Sequence, residues 1–158
     1  MSLASRLYKI CVNNNLSIAT AESCTSGLIS STICSVSGAS SFFKGGLIAY
    51  QDQVKINQLN ISKSLIEKKT SVSLDVAKKM AKNSLDIFNA DYAIATTGYT
   101  GPTGGNDKDP IGTVFIAVAN EFDTIVKHFV FDGNREIITK KIVDTALELL
   151  IMEIKKNE

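Results

Sequence analysis

Along the chain, apolar residues switch between a period near 3.6 and short unbroken runs, and the switches divide it into helices and strands. Leu3, Leu7, Ile10 and Cys11 share one face of a helix over residues 2–14, ended by the Asn13-Asn14-Asn15 run. A short buried strand follows over residues 16–21, and Leu28, Ile29, Thr32 and Ile33 return to helical spacing as far as Cys34. Residues 39–45 read as one short helical turn, or as a loop whose Phe42 and Phe43 plug the core. Residues 46–50 are apolar throughout and predict a strand buried on both faces, which runs into a short helix over 51–56. Residues 60–72 read as a linker, with Ser62 and Ser73 as helix caps. From 73 to 89, Ala77, Met80, Ala81, Ser84, Leu85 and Phe88 trace one helix face, and Asp75 suits the first turn. Further strands fall at 92–97, 114–119 and 124–131. The last two are joined by the Asn120-Glu121-Phe122-Asp123 turn and predict an antiparallel hairpin. Gly133-Asn134-Arg135-Glu136 opens a long C-terminal helix whose stripe is Ile138, Ile142, Ala146, Leu149 and Leu150.

Five strands with helices before, between and after them predict a three-layer α/β/α sandwich with a mixed sheet, the hairpin arguing against a purely doubly wound fold. At 158 residues without visible repeats, the chain reads as one domain over 1–158, long enough to bury about 70% of its unfolded surface.

Composition narrows the function classes. The charged fraction is 21% and the net charge is +1, which leaves no electrostatic footprint for nucleic acid. No apolar run approaches the roughly 20 residues of a membrane span, and the first residues lack a signal-peptide core, so a cytoplasmic location is expected. Cys11, Cys24 and Cys34 are odd in number and irregularly spaced, and His128 is the only histidine, so neither a disulfide framework nor a protein-only metal site is expected. Arg6 and Arg135 stand against 15 lysines, and arginines that scarce invite a question about their task.

Candidate chemistry begins at Thr20-Ala21-Glu22-Ser23-Cys24-Thr25-Ser26-Gly27, where strand period gives way to helix period. Side chains there lie beside the unpaired N–H groups of a helix start, which favour anions and developing negative charge. Ser23 or Thr25 is either a cap or a nucleophile on this evidence. A Ser-His-Asp triad would have to use His128 from mid-strand. Cys24 at a helix start has a route to a lowered pKa, although a small buried residue is the simpler reading. A serine can instead be activated by neutral lysine, which requires lowering a pKa of about 10.4 by about 3 units, or ~4 kcal/mol. Lys55 follows a predicted strand by five residues, near the sheet edge where α/β folds bind ligands; the alternative is an exposed lysine on a short helix. The segment 98–112 holds both prolines and five of the ten glycines, so its loop is a candidate oxyanion or phosphate cradle, or else a flexible connection. Arg135 at a helix start opposes the helix dipole and calls for a compensating anion, either a ligand or a carboxylate such as Glu136 or Asp132.

Taken in order, these motifs resemble the CinA C-terminal domain family, whose stand-alone members are nicotinamide mononucleotide deamidases of the PncC type. A-E-S-C-T-G-G matches Ala21–Gly27, and G-S-S-x-x-F matches Gly38–Phe43. G-G-x-x-x-Y-x-x-x-x-K runs from Gly45-Gly46 through Tyr50 to Lys55, and T-G-I-A-G-P-x-G-G matches Thr97–Gly105. P-V-G-T-V appears as Pro110–Val114 and G-D-R as Gly133-Asn134-Arg135. Departures are Ser26 for glycine, Ala39 for serine, Tyr99-Thr100 for Ile-Ala, and Asn134 for aspartate.

The resemblance implies hydrolysis of nicotinamide mononucleotide to nicotinate mononucleotide and ammonia, in pyridine nucleotide recycling, with no metal or cofactor. The family's serine–lysine pair falls on Ser23 and Lys55, and Ser40, Tyr50, Thr97, Gly98, Gly101 and Arg135 fall where it lines the substrate pocket. A homodimer or larger homo-oligomer is implied. Two other readings stand beside it: a non-catalytic nucleotide- or protein-binding module, and a Cys24-dependent hydrolase.

Overall fold

The computed structural model describes residues 1–157. Five strands form one sheet: β1 (Ile18–Glu22), β2 (Phe43–Ile48), β3 (Tyr92–Gly98), β4 (Thr113–Ala119) and β5 (Thr124–Val130). The order is β2-β1-β3-β4-β5, with β1 parallel to both its neighbours and β3, β4 and β5 antiparallel in succession. Helices α1 (Leu3–Asn13), α2 (Leu28–Cys34) and α6 (Arg135–Lys156) supply one layer, and α3 (Asp52–Leu59), α4 (Lys63–Lys69) and α5 (Leu74–Phe88) the other. The mixed three-layer α/β/α sandwich expected from the hydrophobic pattern is the architecture observed.

Side-chain alternation along the strands sorts the two cores. Ile18, Ile94, Val114, Ile116 and Val118 face the α1, α2 and α6 layer, where bulky side chains fill the space beneath Leu7, Ile33 and the α6 stripe. Ala19, Ala21, Ala93, Ala95, Ala117 and Ala119 face the other way, onto Ala77, Met80 and Ala81 of α5. Small side chains on both surfaces let α5 lie close against the middle of the sheet. The same parity runs on to the strand ends: Ser23, just past β1, continues the Ala19–Ala21 row toward the α3–α5 layer, and Thr97, near the end of β3, continues the Ala93–Ala95 row. Cys24 falls into the opposite core.

Two local expectations are corrected. The second strand is not buried on both faces; it runs over Phe43–Ile48 and alternates between half-buried and exposed positions. It pairs only with β1, so it is a sheet edge, and its apolar run reflects one packed side. The stretch 60–72 is not a plain linker, since it contains α4, capped by Ser62, whose hydroxyl accepts from Leu65 N. That helix buries Ile66 alone, too little to write a period into the sequence. Ser73 caps α5 by accepting from Val76 N. Residues 39–45 divide into a 3₁₀ turn at Ala39–Ser41 and the start of β2.

Gly46 is required by close approach. A Cβ there would lie 1.9 Å from Thr20 Oγ1 and 2.9 Å from Ser30 Oγ. Those two hydroxyls are bonded to each other at 2.7 Å, and Ser30 Oγ donates to buried Glu22. Gly46→Ala therefore pushes directly on the network that joins β1 to α2. A loss of about 1–3 kcal/mol is expected by urea denaturation, and an unchanged midpoint would contradict this packing.

Candidate active site

Ser23 is the first residue beyond β1, and its backbone N–H still donates to Thr96 O on β3 at 3.0 Å. The helix start that follows has a different cap from either one expected. Glu22, fully buried, accepts from Gly27 N, Ile29 N and Ser30 N at 3.1, 3.0 and 2.7 Å, and from Ser30 Oγ at 2.7 Å. Neither Ser23 nor Thr25 caps α2, and Thr25 Oγ1 instead bonds Thr96 Oγ1 at 2.8 Å. Three of the first N–H groups of the helix are thereby committed to a carboxylate of the protein itself, which removes that helix start as a ready anion site. The consequence for Ser23 is that its hydroxyl is left for another partner.

That partner is Lys55. Its Nζ donates to Ser23 Oγ at 3.1 Å and to Tyr50 O at 3.3 Å. On α3, Lys55 and Leu59 are the buried residues, one turn apart on the same face, and the helix packs against α5. The residue is 1% exposed, among the largest side chains fully buried in the molecule. Burial lowers the pKa of the amine from its ordinary value of 10.5, while Asp52, with Oδ1 at 3.8 Å, pulls it back upward. The solvated-lysine alternative is thus replaced by a desolvated amine against a serine hydroxyl.

The pair opens onto a cavity of about 240 Å³. Tyr50, Thr97, Gly98, Gly101 and Arg135 line it together with Ser23 and Lys55. Arg135 reaches across from the start of α6, one N–H donating to Gly101 O at 2.7 Å and another to Tyr50 Oη at 3.0 Å. It forms no ion pair among the described residues, so neither Glu136 nor Asp132 compensates it. Asn134, in place of the family's aspartate, caps α6 by accepting from Ile137 N. With five donors on the guanidinium and two in use, Arg135 retains capacity for an anion.

Ser40 is not part of this arrangement. It is exposed on the 3₁₀ turn that precedes β2. Because β1 and β2 are parallel, with Ile18 beside Phe43 and Glu22 beside Ile48, that turn lies where β1 begins and Ser23 lies where it ends. Roughly 15 Å of strand separates them. The helix-start route to a reactive Cys24 is also closed: the thiol is buried and its pKa is pushed up to about 12, chiefly by desolvation, so it stays protonated. His128 stacks on Phe115 with ring centroids 4.8 Å apart, exposed on the far edge strand. Two residues that the sequence did not single out complete the site. Asp52 and Ser71 both line the cavity and are bonded to each other. Asp52, three residues before Lys55, was legible as a helical neighbour; Ser71 left no local signal. Among the described residues, no group of three His, Cys, Asp or Glu is placed to hold a metal. Among the same residues, no helix is long and apolar enough to cross a membrane.

Fold and site together define a mixed α/β/α domain with a sheltered serine–lysine pair at the end of its central parallel strands. The chain belongs to the CinA C-terminal domain family, whose model matches residues 1–154. It is 42% identical over 151 residues to a CinA-like protein of Flavobacterium psychrophilum, covering 96% of this chain and 36% of that protein. A putative competence-damage inducible protein of Clostridium botulinum is 41% identical over 154 residues, covering 98% and 38%. The chain thus spans little more than a third of the length of these relatives. Among solved structures, the competence damage-inducible protein A (ComA) from Klebsiella pneumoniae superposes with a TM-score of 0.94 at 30% identity, covering 97% and 95% of the two chains. A CinA superfamily protein from Escherichia coli gives 0.91 at 34% identity, covering 95% and 88%.

Burial of Lys55 has a thermodynamic signature. Its folded pKa lies below 10.5, so the unfolded chain binds more protons between the lowered value and 10.5, and the lysine's contribution to stability rises with pH across that window. Lys55→Met removes this contribution. The difference in denaturation midpoint between variant and wild type should shift in favour of the wild type as pH rises through the window. Parallel pH profiles for the two proteins would show that the amine is not desolvated.

Proposed function

We propose that this domain is an amidohydrolase that converts nicotinamide mononucleotide to nicotinate mononucleotide and ammonia, with Ser23 as nucleophile and Lys55 as general base and acid. The observation that carries the reading is the 3.1 Å contact between a serine hydroxyl and a buried lysine amine. Neutral Lys55 takes the Ser23 proton as Oγ attacks the carboxamide carbon, and the resulting ammonium returns it to the departing nitrogen, releasing ammonia and leaving an ester on Ser23. Water then attacks the ester, its proton passing to Lys55 and from there to the departing serine oxygen. The positive pyridinium ring of this substrate makes its carboxamide more electrophilic. Arg135, with donors to spare, is suited to the phosphate, and Tyr50 and the loop from Thr97 to Gly101 shape the space between.

Ammonia release from nicotinamide mononucleotide tests the reading. Ser23→Ala and Lys55→Ala should each lower kcat by at least about 100-fold, since removing a general acid–base group costs 10²–10⁴. Wild-type rates in either variant would rule out the mechanism. Arg135→Ala should raise KM more than it lowers kcat if the guanidinium holds the phosphate, and should leave any hydrolysis of the corresponding nucleoside, which lacks that group, nearly unchanged.

A non-catalytic binding module is the competing reading. The departures from the family pattern around the cavity, Tyr99-Thr100 in its lining and Asn134 beside Arg135, are the observation that favours it. It predicts thermal stabilisation by the mononucleotide without ammonia release.

A further inference from the structure

Asp52 works against the base beside it. It sits in the first turn of α3, and its Oδ1 lies 3.8 Å from Lys55 Nζ. The carboxylate side chain is 56% exposed where the lysine side chain is 2% exposed, so the charge stands toward solvent and the amine beneath it. The carboxylate has a second partner. Ser71 Oγ donates to Asp52 Oδ1, and Ser71 is itself held by Thr97 Oγ1, which donates to its backbone carbonyl at 2.8 Å. The contacts form a relay from Thr97 at the end of β3, through Ser71 before α5, to Asp52 on α3. A first-turn aspartate that merely answers the helix dipole needs no such tether.

We propose that the Ser71-anchored carboxylate of Asp52 sets the proton affinity of Lys55, and with it the pH at which the Ser23–Lys55 pair becomes competent. The proposal rests on the serine–lysine reading above and makes Asp52 a positioning residue that acts through Lys55. Burial strips water from the ammonium and drives the proton off, whereas a carboxylate within ion-pair distance holds it on. A lysine too weakly basic draws no proton from a serine hydroxyl, and one too basic is never free to accept it; a value between the two is what acid–base catalysis needs. The other titratable groups around the cavity are the Cys24 thiol, held neutral, the phenols of Tyr50 and Tyr99, and Arg135 across from α6. Among the described residues, Asp52 alone brings a negative charge within ion-pair distance of Nζ.

The test is an NMR titration of the full chain labelled with ¹³C at lysine Cε, with the Lys55 signal assigned from Lys55→Met. Asp52→Asn preserves an acceptor for Ser71 but removes the charge, and should move the Lys55 midpoint downward by about 1 pH unit or more. Ser71→Ala keeps the charge and releases it, and should move the midpoint the same way by less. The acidic limb of kcat/KM for ammonia release should follow each midpoint. A Lys55 midpoint unmoved by Asp52→Asn overturns the proposal whatever the activity, even if melting temperature falls, since a merely structural role lowers stability alone. If Asp52→Asn does not fold, Ser71→Ala decides, and an unmoved midpoint there is equally fatal. The titration is read without substrate, so absence of ammonia release with a shifted midpoint would defeat the substrate assignment and leave this proposal standing.

Discussion

A lysine amine buried against a serine hydroxyl is the constraint around which this molecule is arranged. Removing an ammonium from water costs on the order of several kcal/mol unless partners replace the solvent or the proton leaves. Here the partners are Ser23 Oγ, Tyr50 O and, at longer range, Asp52. Lys55 shares the buried face of α3 with Leu59, and the helix packs against α5. A helix that only had to pack would place an apolar residue there, since an amine taken out of water costs stability that an apolar side chain does not.

Glu22 is the second half of that arrangement. A strand running into a helix ordinarily recruits the first hydroxyl after it as a cap. By turning a buried carboxylate back onto three N–H groups of α2, the chain satisfies the helix from within and frees Ser23 to face the other layer. Thr20 and Ser30 extend the same network to the edge of β2, where Gly46 leaves room for it. The geometry of the serine therefore depends on residues that never enter the cavity.

The architecture was written into local pattern. Period and composition located α5 and the α6 stripe, and the alanine rows of β1, β3 and β4 account for the close approach of α5. Where the pattern misled, the cause was a property that belongs to pairs of elements. Residues 46–50 are apolar whether they sit in the centre of a sheet or at its edge, and only the absence of a second neighbour made β2 an edge. Helix α4 buries one residue and so carries no period. Ser40 sits within a motif that matches the family, yet parallel pairing of β1 with β2 sends it to the opposite end of the sheet from Ser23.

Sequence by itself determined the class of fold and the family and offered candidate site residues, because helical and strand periods, capping serines and glycine placement are short-range properties of the chain. Tertiary structure alone decided that Lys55 is buried, that it meets a serine 32 positions away, and that Arg135 spans from Gly101 to Tyr50. Desolvation and electrostatic coupling are set by what surrounds a group in three dimensions, and no window of neighbouring residues contains that information.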